Sequence, residues 1–348
     1  MKNWLLMLSV SAVFAACGSP DYFNDANQKV REGKYMEAID LYTLAIAEKD
    51  SDTQAFVNRG GIKELLSDTV GALDDYTSAL KKKSNDPIIM ALIANIKFKQ
   101  KKYKESIEIY SKVCELQPEN ANAFFNMAVS KQYMGKDIAA LFDYGKAIAL
   151  KPDYAQAYYN RGTLRQKLGD FSNAIEDYNK TIFYNPQFGG AYFNRALLHV
   201  KFSEFEKAFK DFEIAISIAP QNDDIYVNRG NLFFRSKDFE SALKDFNLAI
   251  ELDAANSLAL LGRGVTKYYL EDFQGALIDF DLAMELGLAN APLYFNRASV
   301  KRLIGDIPGA IEDFRVAGEL GFMNAFDSIK KYNLEPLDIT TKDKSKKK

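Results

Sequence analysis

The sequence predicts an all-α fold: a stack of nine helical hairpins of 34 residues each, closed by one more helix. Three observations predict it. A small residue returns at Ala38, Ala72, Ser106, Ala140, Ala174, Ala208, Ala242, Ala276 and Ala310. Four residues after each stands an aromatic: Tyr42, Tyr76, Tyr110, Tyr144, Tyr178, Phe212, Phe246, Phe280 and Phe314. Numbering 34 slots from Ser19, further repeats begin at Thr53, Pro87, Ala121, Ala155, Gly189, Asp223, Ser257 and Ala291, without insertion or deletion. One hairpin cannot bury its own apolar face, so each must stack on its neighbours.

In chain order, residues 1–16 read as a leader. Lys2 gives the positive start, Trp4 to Val13 an apolar stretch, and Ala15 with Ala16 the small residues before a cut. The apolar run is too short to span a bilayer comfortably. The string Phe14-Ala15-Ala16-Cys17 resembles the lipobox of bacterial lipoproteins, with Phe14 in place of the usual Leu. That resemblance implies lipidation of Cys17, with residues 17–18 as the anchor region of a membrane lipoprotein facing the periplasm or exterior. Each buried methylene of an acyl chain would add about 0.8 kcal/mol to anchoring. An ordinary signal peptide cut after Ala15 is the alternative. With Cys17 lipidated, Cys114 has no possible disulfide partner and reads as a small packing residue.

The repeats occupy residues 19–324. The clearest runs from 155 to 188, with Tyr158, Gly162, Gly169, Phe171, Ala174, Tyr178 and Pro186 as landmarks. It resembles the tetratricopeptide repeat, whose signature is W-x2-L-G-x2-Y, then A-x3-F, then P over 34 residues. The resemblance implies a right-handed superhelical solenoid. Small Gly162 and Ala174 mark where the two helices cross, Gly169 ends the first helix, and Pro186 closes the second. In repeats eight and nine Gly287 and Gly321 do the closing. Residues 325–334 place Phe326, Ile329 and Tyr332 on one face and read as a capping helix. The basic tail, 335–348, has nothing to bury and is expected to be disordered.

Three periodic files carry the functional question. Slot 7 holds Arg59, Arg161, Arg195, Arg229, Arg263 and Arg297, and slot 23 of the same repeats holds Asp75, Asp177, Asp211, Asp245, Asp279 and Asp313. Repeat four breaks the match, with Met127 beside Asp143. An ion pair inside each hairpin explains the correlation, although duplication alone would produce it too. Slot 11 holds Lys29, Lys63, Lys97, Lys131, Arg165, His199, Phe233, Lys267 and Lys301. These cations either form a ladder for an anionic polymer or pack their stems and reach nearby acids. His199, the single histidine, reads as a packing variant within this file.

The third file follows from the resemblance, which implies that slots 2, 5, 6, 9, 12 and 13 line a concave groove for partners. There the chain offers Asn126, Tyr159, Asn160, Lys167, Phe193, Asn194, Lys201, Asn228 and Arg235 as candidate partner-binding residues. Asparagine suits a peptide backbone, aromatics give contact area, and cations select acidic groups. No slot 5 residue is lysine, so the carboxylate clamp of the chaperone-binding variety is not implied.

A catalytic constellation is missing: one His, no CxxC, no GxxxxGK[ST] and no GxSxG. Net charge is −2, which does not advertise a nucleic-acid partner. No cofactor, metal or small-molecule substrate is expected. The expectation is a non-catalytic, lipid-anchored scaffold at a bacterial cell envelope, docking protein or peptide partners in its groove. The alternative is a receptor for an anionic envelope polymer or glycan.

Overall fold

A computed structural model describes residues 21–49 and 53–332, and every described element is helical. The expected leader, Cys17 and the basic tail lie outside the described residues. The chain divides into two compact units, Met1–Arg165 and Gln166–Lys348. The first contains α1 (Tyr22–Arg31), α2 (Tyr35–Glu48), α3 (Thr53–Leu65), α4 (Thr69–Lys82), α5 (Pro87–Lys99), α6 (Tyr103–Leu116), α7 (Ala121–Tyr133) and α8 (Asp137–Leu150). The boundary between the units falls inside α9 (Ala155–Lys167). The second unit continues with α10 (Phe171–Tyr184), α11 (Gly189–Lys201), α12 (Phe205–Ile218), α13 (Asp223–Arg235) and α14 (Phe239–Leu252). It ends with α15 (Ser257–Tyr269), α16 (Phe273–Glu285), α17 (Ala291–Leu303), α18 (Ile307–Glu319) and α19 (Asn324–Lys331).

In repeats two to nine the first helix begins at slot 1, and in all nine the second begins at slot 17. Helices α1 to α8 pack in chain order in the first unit, as α10 to α19 do in the second. The packing rests on the two files that define the period. The slot 20 residues are fully buried, and so are all nine slot 24 aromatics. Burying one such ring stabilises the fold by about 1.5–3 kcal/mol. The ring comes so close to the first helix that slot 8 must be small. A Cβ on Gly264 would stand 2.7 Å from the Phe280 ring.

The turn inside each hairpin is uniform. Slot 15 is left-handed in all nine repeats, at Gly33, Ser67, Lys101, Gly135, Gly169, Ser203, Lys237, Glu271 and Gly305. Five of these are not glycine, so tertiary packing overrides a local preference of about 1–2 kcal/mol each. Asp68, Asp238, Asp272 and Asp306 then cap the second helices by accepting the slot 19 N–H at 2.8–3.1 Å. In repeats eight and nine, Gly287 (φ 89°) and Gly321 (φ 98°) end α16 and α18 one residue sooner than other second helices end. Helix α19 starts one residue before the expected cap, and its Phe326 lies against Gly318. Among the described residues no helix is long and apolar enough to cross a membrane.

Candidate functional site

Slots 7 and 23 meet as a two-pronged ion pair. Arg59 donates through Nε and Nη2 to Asp75 at 3.0 and 2.6 Å. The same fork joins Arg195 to Asp211 (2.8 and 2.6 Å) and Arg229 to Asp245 (2.8 Å for both). Arg263 with Asp279 (2.9 and 2.7 Å) and Arg297 with Asp313 (2.7 Å for both) complete the series. In repeat five the two members belong to different units. The third nitrogen reaches back one hairpin, from Arg195 to Asn179 at 2.6 Å and from Arg297 to Asp281 at 2.8 Å. Each such arginine therefore ties its own hairpin shut and holds the preceding one.

The slot 11 lysines are held by acids. Lys63, Lys267 and Lys301 sit 2.8–2.9 Å from Asp75, Asp279 and Asp313. Lys29 and Lys97 stand 2.7 Å from Glu37 and Glu105. Lys131 takes the place of the missing arginine on Asp143. It does not fully compensate, and burial pushes the Asp143 carboxyl above its ordinary range. His199 meets Glu204 through Nδ1 at 2.5 Å. Cys114 is buried and free, and burial pushes its thiol up to about 11, which makes it a packing residue and a poor nucleophile.

The groove residues divide between the units. In the first unit Asn126 stands on α7, and Tyr159 and Asn160 on α9, all half-buried. These asparagines have structural bonds. Asn160 Nδ2 donates to the Tyr144 hydroxyl at 3.4 Å, and its Oδ1 accepts from Gln156 at 3.0 Å. Asn126 lies by the Tyr110 hydroxyl, and Asn58 donates to Tyr42 at 3.2 Å. Slot 6 therefore packs on the slot 24 ring of the preceding repeat. The tyrosine hydroxyl in turn donates to slot 12, from Tyr76 to Glu64, Tyr144 to Gln132 and Tyr178 to Gln166, at 2.7–3.0 Å. Burial raises the hydroxyl pKa of Tyr42, Tyr76, Tyr110 and Tyr144.

In the second unit Lys167 ends α9, Phe193, Asn194 and Lys201 stand on α11, and Asn228 and Arg235 on α13. Lys167, Lys201 and Arg235 are exposed, and the other three are half-buried. Asn228 has a phenylalanine before it at slot 24, Phe212, and turns Nδ2 back to the Asp224 carbonyl at 2.8 Å. Lys201 Nζ lies 4.6 Å from the centre of the Phe171 ring, and the Arg235 guanidinium 5.0 Å from that of Phe205. Each ring belongs to slot 17 of the preceding repeat and fixes a cation that would otherwise sway in solvent. The sequence files missed these platforms, although Phe at slot 17 recurs at 171, 205, 239 and 273. They also missed the slot 6 bonds. The signal was Gln or Glu at slot 12 of repeats two, four and five, whose slot 24 is Tyr.

Comparison with known proteins agrees with this anatomy. Profiles described as tetratricopeptide repeat match residues 155–188, 189–222 and 223–256, and one described as TPR repeat matches 94–135 and 132–169. The small glutamine-rich tetratricopeptide repeat-containing protein of Dictyostelium discoideum is 29% identical over 97 residues, 28% of this chain. The match spans only 29% of that relative's own length. Among solved structures, one described as a functional characterization of Pseudomonas aeruginosa pilF is 16% identical, with a TM-score of 0.56. It covers 61% of this chain and 97% of its own. The anaphase-promoting-complex assembly Cut9–Hcn1 is 14% identical with a TM-score of 0.55, over 86% of this chain and 59% of its own. At these identities the likeness is one of fold.

Proposed function

We propose that this tetratricopeptide repeat protein is a non-catalytic scaffold that docks protein or peptide segments on the face of its first helices. Tetratricopeptide repeats are generally non-catalytic interaction modules, and the residues of this chain support that use. The observation that carries the reading is the arrangement of Lys201 and Arg235, exposed on successive first helices and each set over a ring. Neither has its charge cancelled by an ion pair among the described residues. Pre-positioned cations beside Phe193 and Asn228 suit a segment with acidic side chains, because little side-chain entropy is left to lose on binding. In the first unit Asn126, Tyr159 and Asn160 offer the corresponding slots of its own first helices, with Asn160 held by Tyr144 and Gln156.

The competing reading, an anionic polymer held along a cationic ladder, is weaker. Its slot 11 arm is occupied by Asp75, Asp279 and Asp313. Crosslinking and pull-down from the source membrane, repeated with Lys201→Glu and Arg235→Glu, tests the choice. Loss of captured proteins with retention at moderate salt supports docking. Binding of polymer alone, collapsing with salt, overturns it.

The tether and the place of work are part of the same proposal and rest on the leader sequence, with Cys17 carrying the lipid at a bacterial envelope membrane. Fractionation of Cys17→Ser checks it. The variant should leave the membrane fraction, and an unchanged distribution would refute the anchor.

A further inference from the structure

Two departures from the repeat pattern meet in the first unit. Slot 9 is Asn27 and Asn95 in repeats one and three but Gly61 in repeat two. Slot 6 is asparagine in repeats one and two but Leu92 in repeat three. Between the first helices α1, α3 and α5, with Tyr35, Tyr42 and Tyr76 of the second helices, lies a cleft of about 490 Å³, and among the described residues no charged side chain lines it.

Gly61 is not required by packing. A Cβ there would meet only the Tyr76 hydroxyl, at 3.8 Å, whereas one on neighbouring Gly60 would stand 2.8 Å from the Tyr76 ring. The missing side chain at 61 therefore keeps the cleft open. Leu92 has a second consequence. The Tyr42 hydroxyl receives a hydrogen bond from Asn58. Tyr76 faces Leu92 at that slot, so its hydroxyl donates to Glu64 and accepts none among the described residues. Asn27 supplies the complement. Its Oδ1 accepts from Tyr42 at 2.6 Å and Asn58 at 3.3 Å, while its Nδ2 has no partner among the described residues. The cleft thus combines apolar walls (Val30, Val57, Leu65, Leu92) with one spare donor and one spare acceptor.

A peptide unit beside an uncharged side chain presents the matching set: a carbonyl to accept, an N–H to donate and an apolar group to bury. We propose that this cleft is an anchor site for a bulky apolar residue of an extended protein segment. The proposal rests on the scaffold reading above and gives its partner a second chemical feature. An acidic stretch belongs on the face of the second unit, and an uncharged apolar residue belongs here. A fatty acid or another anion is disfavoured, because among the described residues the lining offers no cation to receive its head group.

The test is a peptide library displayed on phage and panned on the full chain with Cys17→Ser. Selected peptides are then synthesised with capped ends and titrated calorimetrically. Peptides from the wild-type chain should share Leu, Ile, Met or Phe at one position. Gly61→Leu should fill the cleft and weaken them roughly tenfold or more, the worth of a filled apolar pocket, with helicity unchanged. Leu65→Lys at the rim, where Leu65 is 61% exposed, should weaken them too without touching the core. Peptides that bind Gly61→Leu and Leu65→Lys as well as wild type would overturn the anchor site. If those same peptides are acidic and lost with Lys201→Glu, the scaffold reading survives and the cleft does not. A library that enriches nothing overturns both.

Discussion

Repeats one to five and repeats six to nine solve one packing problem differently. In the first group the slot 24 ring is a tyrosine whose hydroxyl is wired into the first helices. Tyr144, for example, donates to Gln132 and receives from Asn160. In the second group the ring is phenylalanine and slot 12 becomes Val200, Phe234, Tyr268 or Arg302; at the slot 6 that follows such a ring, Asn228 and Asn296 bond their own helices and repeat eight has Gly262. The carboxylate at slot 23 differs too. Asp75 receives both Arg59 and Lys63, but among the described residues Asp245 has only Arg229, because Phe233 stands where the lysine would be. The early repeats couple neighbours through polar bonds, and repeats six and seven through apolar contact and a single guanidinium. A buried polar network holds one geometry only when every member is satisfied, so residues at the two kinds of joint are not interchangeable.

The largest expected effect separates the two ways of holding the carboxylate. Arg229→Leu strands Asp245, which is 3% exposed and has no second cation among the described residues, at a cost of about 3–5 kcal/mol. Arg59→Leu leaves Lys63 on Asp75 and should cost clearly less. Denaturant unfolding read by hydrogen exchange repeat by repeat measures both, since an array need not unfold as one unit. Equal losses would break the comparison.

Exchanging the rings comes next. Phe212→Tyr would bring a hydroxyl to Leu197 at slot 9 and Val200 at slot 12, the slots that receive it in the early repeats and neither of which has a side-chain acceptor here, costing about 1–3 kcal/mol. Tyr144→Phe orphans Gln132 and Asn160, whose half-buried groups can still reach water, costing about 1–2 kcal/mol. If Phe212→Tyr is neutral, the hydroxyl is decoration and not wiring.

Repeat four offers a pH test. Burial raises the Asp143 carboxyl in the folded chain, so ionisation costs the folded state more than the unfolded one. Its contribution is whole below the unfolded value of about 3.8 and is lost as pH rises through the raised folded value. Met127→Arg should restore the two-pronged pair found elsewhere and reverse that trend, adding about 1–2 kcal/mol at neutral pH. Melting temperatures of both chains across the acid range check it. A wild type that gains on the variant as pH rises contradicts the assignment.

The smallest effect should ignore the division altogether. Lys101 (φ 60°) and Lys237 (φ 64°) hold the same left-handed turn in the two units. Replacing either by glycine should stabilise its hairpin by up to about 1 kcal/mol, by the same amount in each. A difference in melting temperature between the two variants would place strain in one unit and not the other.

The period made the fold legible from the residues alone. Slot 1 and slot 17 starts, the small residue at slot 20 and the Arg–Asp file all stand where counting puts them, because a stack repeats its contacts as strictly as its sequence. The groove was less legible. Asn126 and Asn160 lie on the expected helices, but Asn160 is tied to Tyr144, since slot 6 serves the preceding ring as well as solvent. Lys201 and Arg235 have the expected charge, yet their order comes from Phe171 and Phe205, thirty residues away in sequence.

By itself the sequence determined the helical hairpin, its length and the offset that sets Arg against Asp, because each follows from a local pattern or a fixed spacing within one repeat, whereas packing imposed the left-handed turn at the five non-glycine positions. Tertiary structure decided what happens between repeats. It settled which hydroxyls are satisfied, which cations are pinned over rings, and where Gly61 and Leu92 leave a donor and an acceptor facing an open cleft. Those outcomes depend on distances between side chains a full period apart. One absent atom group can open a cavity there without leaving any mark on the pattern that built the fold.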